Sequence, residues 1–100
     1  SLRVAGRRNA RVGQRVPLRI ATSDPSGVAR VILYRCRSGR ASGCRVVRQD
    51  AVTPYRFVRK HKATGRVRYK VRVYDNVGNY TEQFRVIKIK PKPKQAKQRR

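Results

Sequence analysis

The stretch VRYKVRVYDNVGNYTEQFRVIKIK, from Val67 to Lys90, constrains the fold more than any other part of the chain. Val67, Tyr69, Val71 and Val73 occupy every second position, and Arg66, Arg68, Lys70 and Arg72 fill the positions between them. Successive strand side chains point to opposite faces, so this alternation predicts a half-buried β-strand. DNVGN then reads as a hairpin turn in which Gly78 and Asn79 tolerate positive φ, with Phe84 and Val86 opening the returning strand. The solvent side of this hairpin carries almost one sign of charge. The whole chain does the same, with 28 basic residues against 4 acidic ones and a formal net charge of +24. Self-repulsion at that density opposes compaction, so a patterned core, counter-ions or an anionic partner must offset it.

Turn signals recur about every eight to twelve residues, the spacing of an all-β sandwich of about seven antiparallel strands. In RVGQRVPLRIA, Val16, Leu18 and Ile20 share one face; Pro17 cannot donate to a ladder, so this strand is expected at an edge or free on one side there. SDPSG is a turn, and VARVILYRC reads as a central strand covered on both sides. Its core-facing pair is either Val31 and Leu33 or Ile32 and Tyr34. Tyr55 and Phe57 alternate in TPYRFVRK, and HKATG turns the chain into the Val67 strand. The expected core is Val16, Leu18, Ile20, Val31, Leu33, Phe57, Val67, Tyr69, Val71, Val73, Phe84 and Val86. After Ile89 the pattern stops, and KPKPKQAKQRR reads as an extended, disordered basic tail. One domain over residues 1–90 and a tail over 91–100 are therefore expected.

Catalytic chemistry finds little to work with. His61, in RKHKA, is expected to be an exposed turn residue among cations that depress its pKa. Asp24, Asp50 and Asp75 stand beside turn residues, and turn chemistry accounts for the acids better than pairing or catalysis does. A calcium site at Asp75, Asn76 and Asn79 would offer one carboxylate in a strongly positive field, a poor trap for a hard cation. SGRASG lacks the Lys-Ser/Thr ending of a phosphate loop. The expectation is no enzyme, no cofactor, no metal and no small-molecule substrate. Cys36 and Cys44 bracket RSGRASG; in facing strands of one hairpin they would come within disulfide range, and otherwise they remain two free thiols. A disulfide is the expectation, and it implies export to an oxidising, extracellular or cell-surface setting. No apolar run is long enough to span a bilayer, and any export leader is expected to have been removed or to lie outside this sequence.

SDPSGVARVILYRC, the cysteine pair, TPYRF and TGRVRYKVRVYDNVGN, in that order, resemble the bacterial immunoglobulin-like domains of secreted and surface proteins. The resemblance covers roughly Val16 to Ile89. It implies an Ig-like β-sandwich, related to fibronectin-III-like domains, serving as a spacer or adhesion module. Some members of that family carry a cysteine pair flanking the middle hairpin loop, which implies a Cys36–Cys44 bond here. The charge departs from the family, whose members are commonly neutral or acidic.

Solubility alone is satisfied by a net charge of about 2–8 on a small domain, so the excess of cations calls for another explanation. Alternate strand residues stand ~6.5–7 Å apart, near the spacing of phosphates along a polyanion. Arg66, Arg68, Lys70, Arg72, Lys88, Lys90, Lys92 and Lys94 are the candidate polyanion-binding residues. The partner would be a cell-wall polymer, lipopolysaccharide, capsule or nucleic acid. Two other readings are a spacer or filament subunit whose charge meets an acidic protein neighbour, and a nucleic-acid-binding protein without sequence preference. Tyr74 and Tyr80 are the candidates for stacking on bases, although packing explains them better.

Overall fold

The described residues form eight strands: β1 (Leu2–Ala5), β2 (Asn9–Arg11), β3 (Val16–Thr22), β4 (Val28–Cys36), β5 (Cys44–Asp50), β6 (Tyr55–Arg59), β7 (Gly65–Asp75) and β8 (Tyr80–Lys90). The computed structural model describes residues 2–23, 27–37 and 43–92, and no helix occurs among them. The turn expected at Asp24 and Pro25, most of the loop between the cysteines, and Lys94 with the rest of the tail beyond Lys92 lie outside the described residues.

The strands form a three-stranded sheet, β1-β3-β6, and a five-stranded sheet, β2-β8-β7-β4-β5. All neighbours are antiparallel except β2, which runs parallel to β8. Between the sheets, Val4, Val16, Leu18, Ile20 and Phe57 from the smaller sheet meet Val31, Leu33, Val67, Tyr69, Val71, Val73, Ile87 and Ile89 from the larger. The period-2 pattern of β3 and β7 thus becomes the two walls of one core. Pro17 lies in a strand paired on both sides, but the β1–β3 ladder ends at Ala5 and Arg19 before reaching it, so its missing N–H interrupts no bond to β1. Val31 and Leu33 form the core-facing pair of β4, and Ile32 is buried on the opposite side.

The returning strand corrects the expected core. Phe84 is 40% exposed and Val86 43%, whereas Ile87 and Ile89 are buried. Register supplies the reason. Phe84 stands opposite Lys70 and Val86 opposite Arg68, and directly opposed residues share a face, so both join the cations outside. The inward positions of this half of β8 are polar because they close the edge of β1. Gln83 Oε1 accepts the Val4 N–H at 3.1 Å, and the Arg85 guanidinium donates to the Val4 and Gly6 carbonyls. An edge strand presents unpaired backbone groups, and here side chains from the opposite sheet satisfy them.

His61 is a second correction. It is 2% exposed, packed edge-on against Tyr69 with ring centroids 5.9 Å apart, and its Nε2 lies 2.7 Å from the Tyr69 hydroxyl. The loop after β6 folds inward and places the imidazole over the end of the core. Burial, reinforced by the positive charges of Arg35 and Arg59, lowers its pKa below the ordinary 6.5. In the β7–β8 turn only glycine takes the left-handed region: Gly78 has φ 91°, while Asn79 has no positive φ. Turn chemistry does account for two acids. Asp75 Oδ1 accepts from the Val77 and Asn79 N–H groups at 3.0 and 2.9 Å, and Asp50 Oδ1 accepts from Val52 at 3.0 Å.

Candidate polyanion-binding face

The outer face of the five-stranded sheet is built from rows that cross β5, β4, β7 and β8. One row runs Val46, Tyr34, Lys70, Phe84; the next runs Cys44, Cys36, Arg68, Val86; another pairs Ile32, Arg72 and Glu82. Arg68, Lys70 and Arg72 of central strand β7 therefore each have an apolar or aromatic neighbour on at least one side. The Arg68 guanidinium lies 4.1 Å from the Phe84 ring centroid, the Lys70 ammonium 4.4 Å from that of Tyr34, and Arg72 4.2 Å from that of Tyr80. Attraction between cation and ring quadrupole holds these side chains along the sheet rather than free in solvent.

Arg66, Arg68, Lys70 and Arg72 share this face, but they are not electrostatically equivalent. Glu82 sits opposite Arg72, with its Oε2 3.0 Å from Arg72 Nε and 3.6 Å from Lys70 Nζ. Ion pairing, and not turn chemistry, is thus the role of Glu82. Arg72 also donates to the Tyr74 hydroxyl at 3.1 Å; that bond raises the Arg72 pKa, with Glu82 adding to the rise, and lowers the pKa of Tyr74. Lys70 and Arg72 are therefore already partly answered within the molecule. Tyr74 and Tyr80 pack on each other, centroids 5.5 Å apart, although Tyr80 stays 52% exposed.

The unanswered cations collect at the opposite end of the sheet. Arg66 stands opposite Lys88, and Lys90 stands opposite Arg11 of β2. Arg11 donates to the Pro91 carbonyl at 3.2 Å, which draws exposed Lys92 into a shallow pocket shared with Arg7 and Arg11. Across the sheet, Arg35, Arg37, Arg45 and Arg66 line a cleft of about 540 Å³ at the start of β7. Among the described residues, none of these cations has an ion-pair partner. With strands ~4.8 Å apart, the band from β5 to β2 spans roughly 19 Å.

Arg7, Arg11, Arg35, Arg37 and Arg45 were not singled out by the alternating pattern. A signal for three of them does exist in the sequence: RCRSGRASGCR flanks both cysteines with arginine, and Cys36 and Cys44 are opposed and bonded. The outer face of the smaller sheet also bears cations, with Arg19 opposite Arg56 and Arg3 nearby, all exposed.

Among the described residues, no three of His, Cys, Asp and Glu gather as a metal-binding group, and no helix is long and apolar enough to cross a membrane. No family model matches the chain, and no curated protein is similar to it in sequence. Solved structures do resemble it. The fibronectin(III)-like modules of Clostridium thermocellum CbhA match with a TM-score of 0.75 at 15% identity, over 91% of this chain and 46% of that one. A superoxide reductase (neelaredoxin) from Ignicoccus hospitalis matches with a TM-score of 0.73 at 17% identity, over 90% of this chain and 80% of that one. A PKD domain of a peptidase from a Thermoplasmatales archaeon matches with a TM-score of 0.61 at 17% identity, over 91% and 93%. The fold is therefore an Ig-like β-sandwich. Because an Ig-like module and a reductase share it at these identities, the likeness carries architecture and no activity.

Proposed function

We propose that this is a non-catalytic, exported Ig-like module that binds polyanions through the basic end of its five-stranded sheet. The observation that carries the reading is the band of Arg35, Arg37, Arg45, Arg66, Lys88, Lys90 and Arg11, which faces solvent around one sheet end with no ion pair among the described residues. Like charges crowded in this way cost folding free energy, and an anionic polymer supplies what relieves it. Arginine dominates the band, and its planar guanidinium suits bidentate contact with phosphate, sulfate or carboxylate. The Cys36–Cys44 disulfide supports an extracellular or cell-surface location, as it does a bacterial surface module of the kind the sequence resembles. The Lys- and Arg-rich residues 91–100 add a second set of cations for the polymer.

The partner is an anionic polymer of the cell surface or its surroundings: cell-wall polymer, lipopolysaccharide, capsule or nucleic acid. Sequence preference among nucleic acids is slight, because no helix among the described residues is available to enter a groove. The test is binding of heparin, DNA and a teichoic-acid-like polymer side by side at about 50 mM salt, where screening is weak. Binding to at least one of them is expected. If none binds, the charge belongs instead to an interface with an acidic protein, and the module is a spacer or subunit.

A further inference from the structure

The cleft at the disulfide end differs from the rest of the cationic surface in being concave and tied together. Arg35 comes from the end of β4 and Arg37 from just beyond it, Arg45 from the start of β5 and Arg66 from the start of β7. Arg35 stands directly opposite Arg45 in the β4–β5 ladder, a like-charge pairing that is unfavourable on its own. The Cys36–Cys44 bond sits in the adjacent register position and fixes both strands beneath these side chains. Arg37 N–H donates to the Gly43 carbonyl at 3.2 Å, and the Arg37 stem lies within 3.5–3.7 Å of the point where a Gly43 side chain would begin. Gly43 has φ 109°, a conformation that glycine adopts readily, so the hairpin neck keeps Arg37 laid across it.

We propose that this cleft is a site for a single phosphate or sulfate group, the point at which a polyanion is anchored. The polymer as its natural source rests on the function proposed above, but the site itself does not. Four arginines at the ends of β4, β5 and β7 line one opening of about 540 Å³, and among the described residues no carboxylate lines it. A tetrahedral oxyanion offers acceptors in several directions and is met by forked donors from different strands, whereas the flat row on β7 meets a polymer from one side only. The volume exceeds that of one oxyanion, which leaves room for the sugar or backbone that carries it.

The full chain is titrated with inorganic phosphate, sulfate and pyrophosphate by calorimetry at constant ionic strength, with acetate as the control. Saturable, one-to-one binding is expected for the tetrahedral anions and not for acetate. Preference for phosphate or for sulfate then tells a phosphodiester source from a sulfated polysaccharide. Arg45→Gln and Arg66→Gln, both at exposed positions, are expected to weaken binding at least tenfold, while Arg19→Gln and Arg56→Gln on the other sheet leave it unchanged. Phosphate and sulfate also stabilise proteins generally by exclusion from their surfaces, so equal effects on all four variants would overturn the site. Heparin bound without saturable oxyanion binding would overturn it too and leave the polyanion reading standing. Saturable oxyanion binding with no polymer bound would uphold the site and remove the polymer.

Discussion

Acid should destabilise this protein through one residue. His61 is 2% exposed, its Nε2 meets the Tyr69 hydroxyl at 2.7 Å, and its Nδ1 has no partner among the described residues. Burial first, and then Arg35 and Arg59, lowers its pKa from 6.5. The unfolded chain protonates His61 near 6.5, while the folded chain keeps it neutral to lower pH. Below that point the unfolded state binds more protons, so stability falls as pH falls, at up to about 1.4 kcal/mol per pH unit, until the folded value is reached. Above about pH 7 this contribution is fully present. The chain has one histidine, so the interval isolates the residue. Urea unfolding at fixed salt, from about pH 7.5 to about pH 5, measures the effect against a total stability of ~5–15 kcal/mol. Tyr69→Phe should cost roughly 1–3 kcal/mol, because it leaves a buried imidazole without a partner. The double variant His61→Phe/Tyr69→Phe removes both polar groups and should show a flat pH profile. A wild-type profile as flat as that of the double variant would refute the reasoning.

Ile87→Ala should cost about 2–5 kcal/mol and Val86→Ala no more than ~0.5 kcal/mol in the same urea assay; similar costs would mean that the β7–β8 register is wrong. Protein unfolded without reductant should show no reactive thiol, and reduction should cost roughly 2–3 kcal/mol, as expected for so short a closed loop. Glu82→Gln should tighten heparin binding severalfold at low salt by releasing Lys70 and Arg72, with little change in stability because the pairs are partly exposed. An unchanged affinity would place the polymer away from that part of the face.

What the sequence disclosed followed from how local each cause was. The alternation of Val67, Tyr69, Val71 and Val73 is set by burial on one side and solvent on the other, so both the strand and its cationic face could be read directly. The returning strand could not, because Gln83 and Arg85 face inward to satisfy β1, leaving Phe84 and Val86 outside. β1 and β2 are four and three residues long, too short to establish a period, and their pairing is what completes the two sheets. His61 reads as a solvated turn residue until Tyr69 is placed beside it. The candidate site divides in the same way. Arg66, Arg68, Lys70 and Arg72 were legible as one row, but the offset of two of them by Glu82 depends on register. The arginine cleft depends on the cysteine bond bringing Arg35 and Arg45 together.

The central claim is that unanswered cations at one end of the sheet hold a polyanion. It is tested most directly by the salt dependence of DNA binding, compared between wild type and Arg66→Gln/Arg68→Gln/Lys88→Gln. Log K should fall linearly with log salt, and each contact to duplex phosphate contributes about 0.9 to the slope. The triple variant should therefore lose roughly 2–3 units of slope, and Lys70→Gln/Arg72→Gln less than two contacts' worth, since Glu82 already offsets both. A triple variant with the wild-type slope, or binding indifferent to salt, would contradict the account.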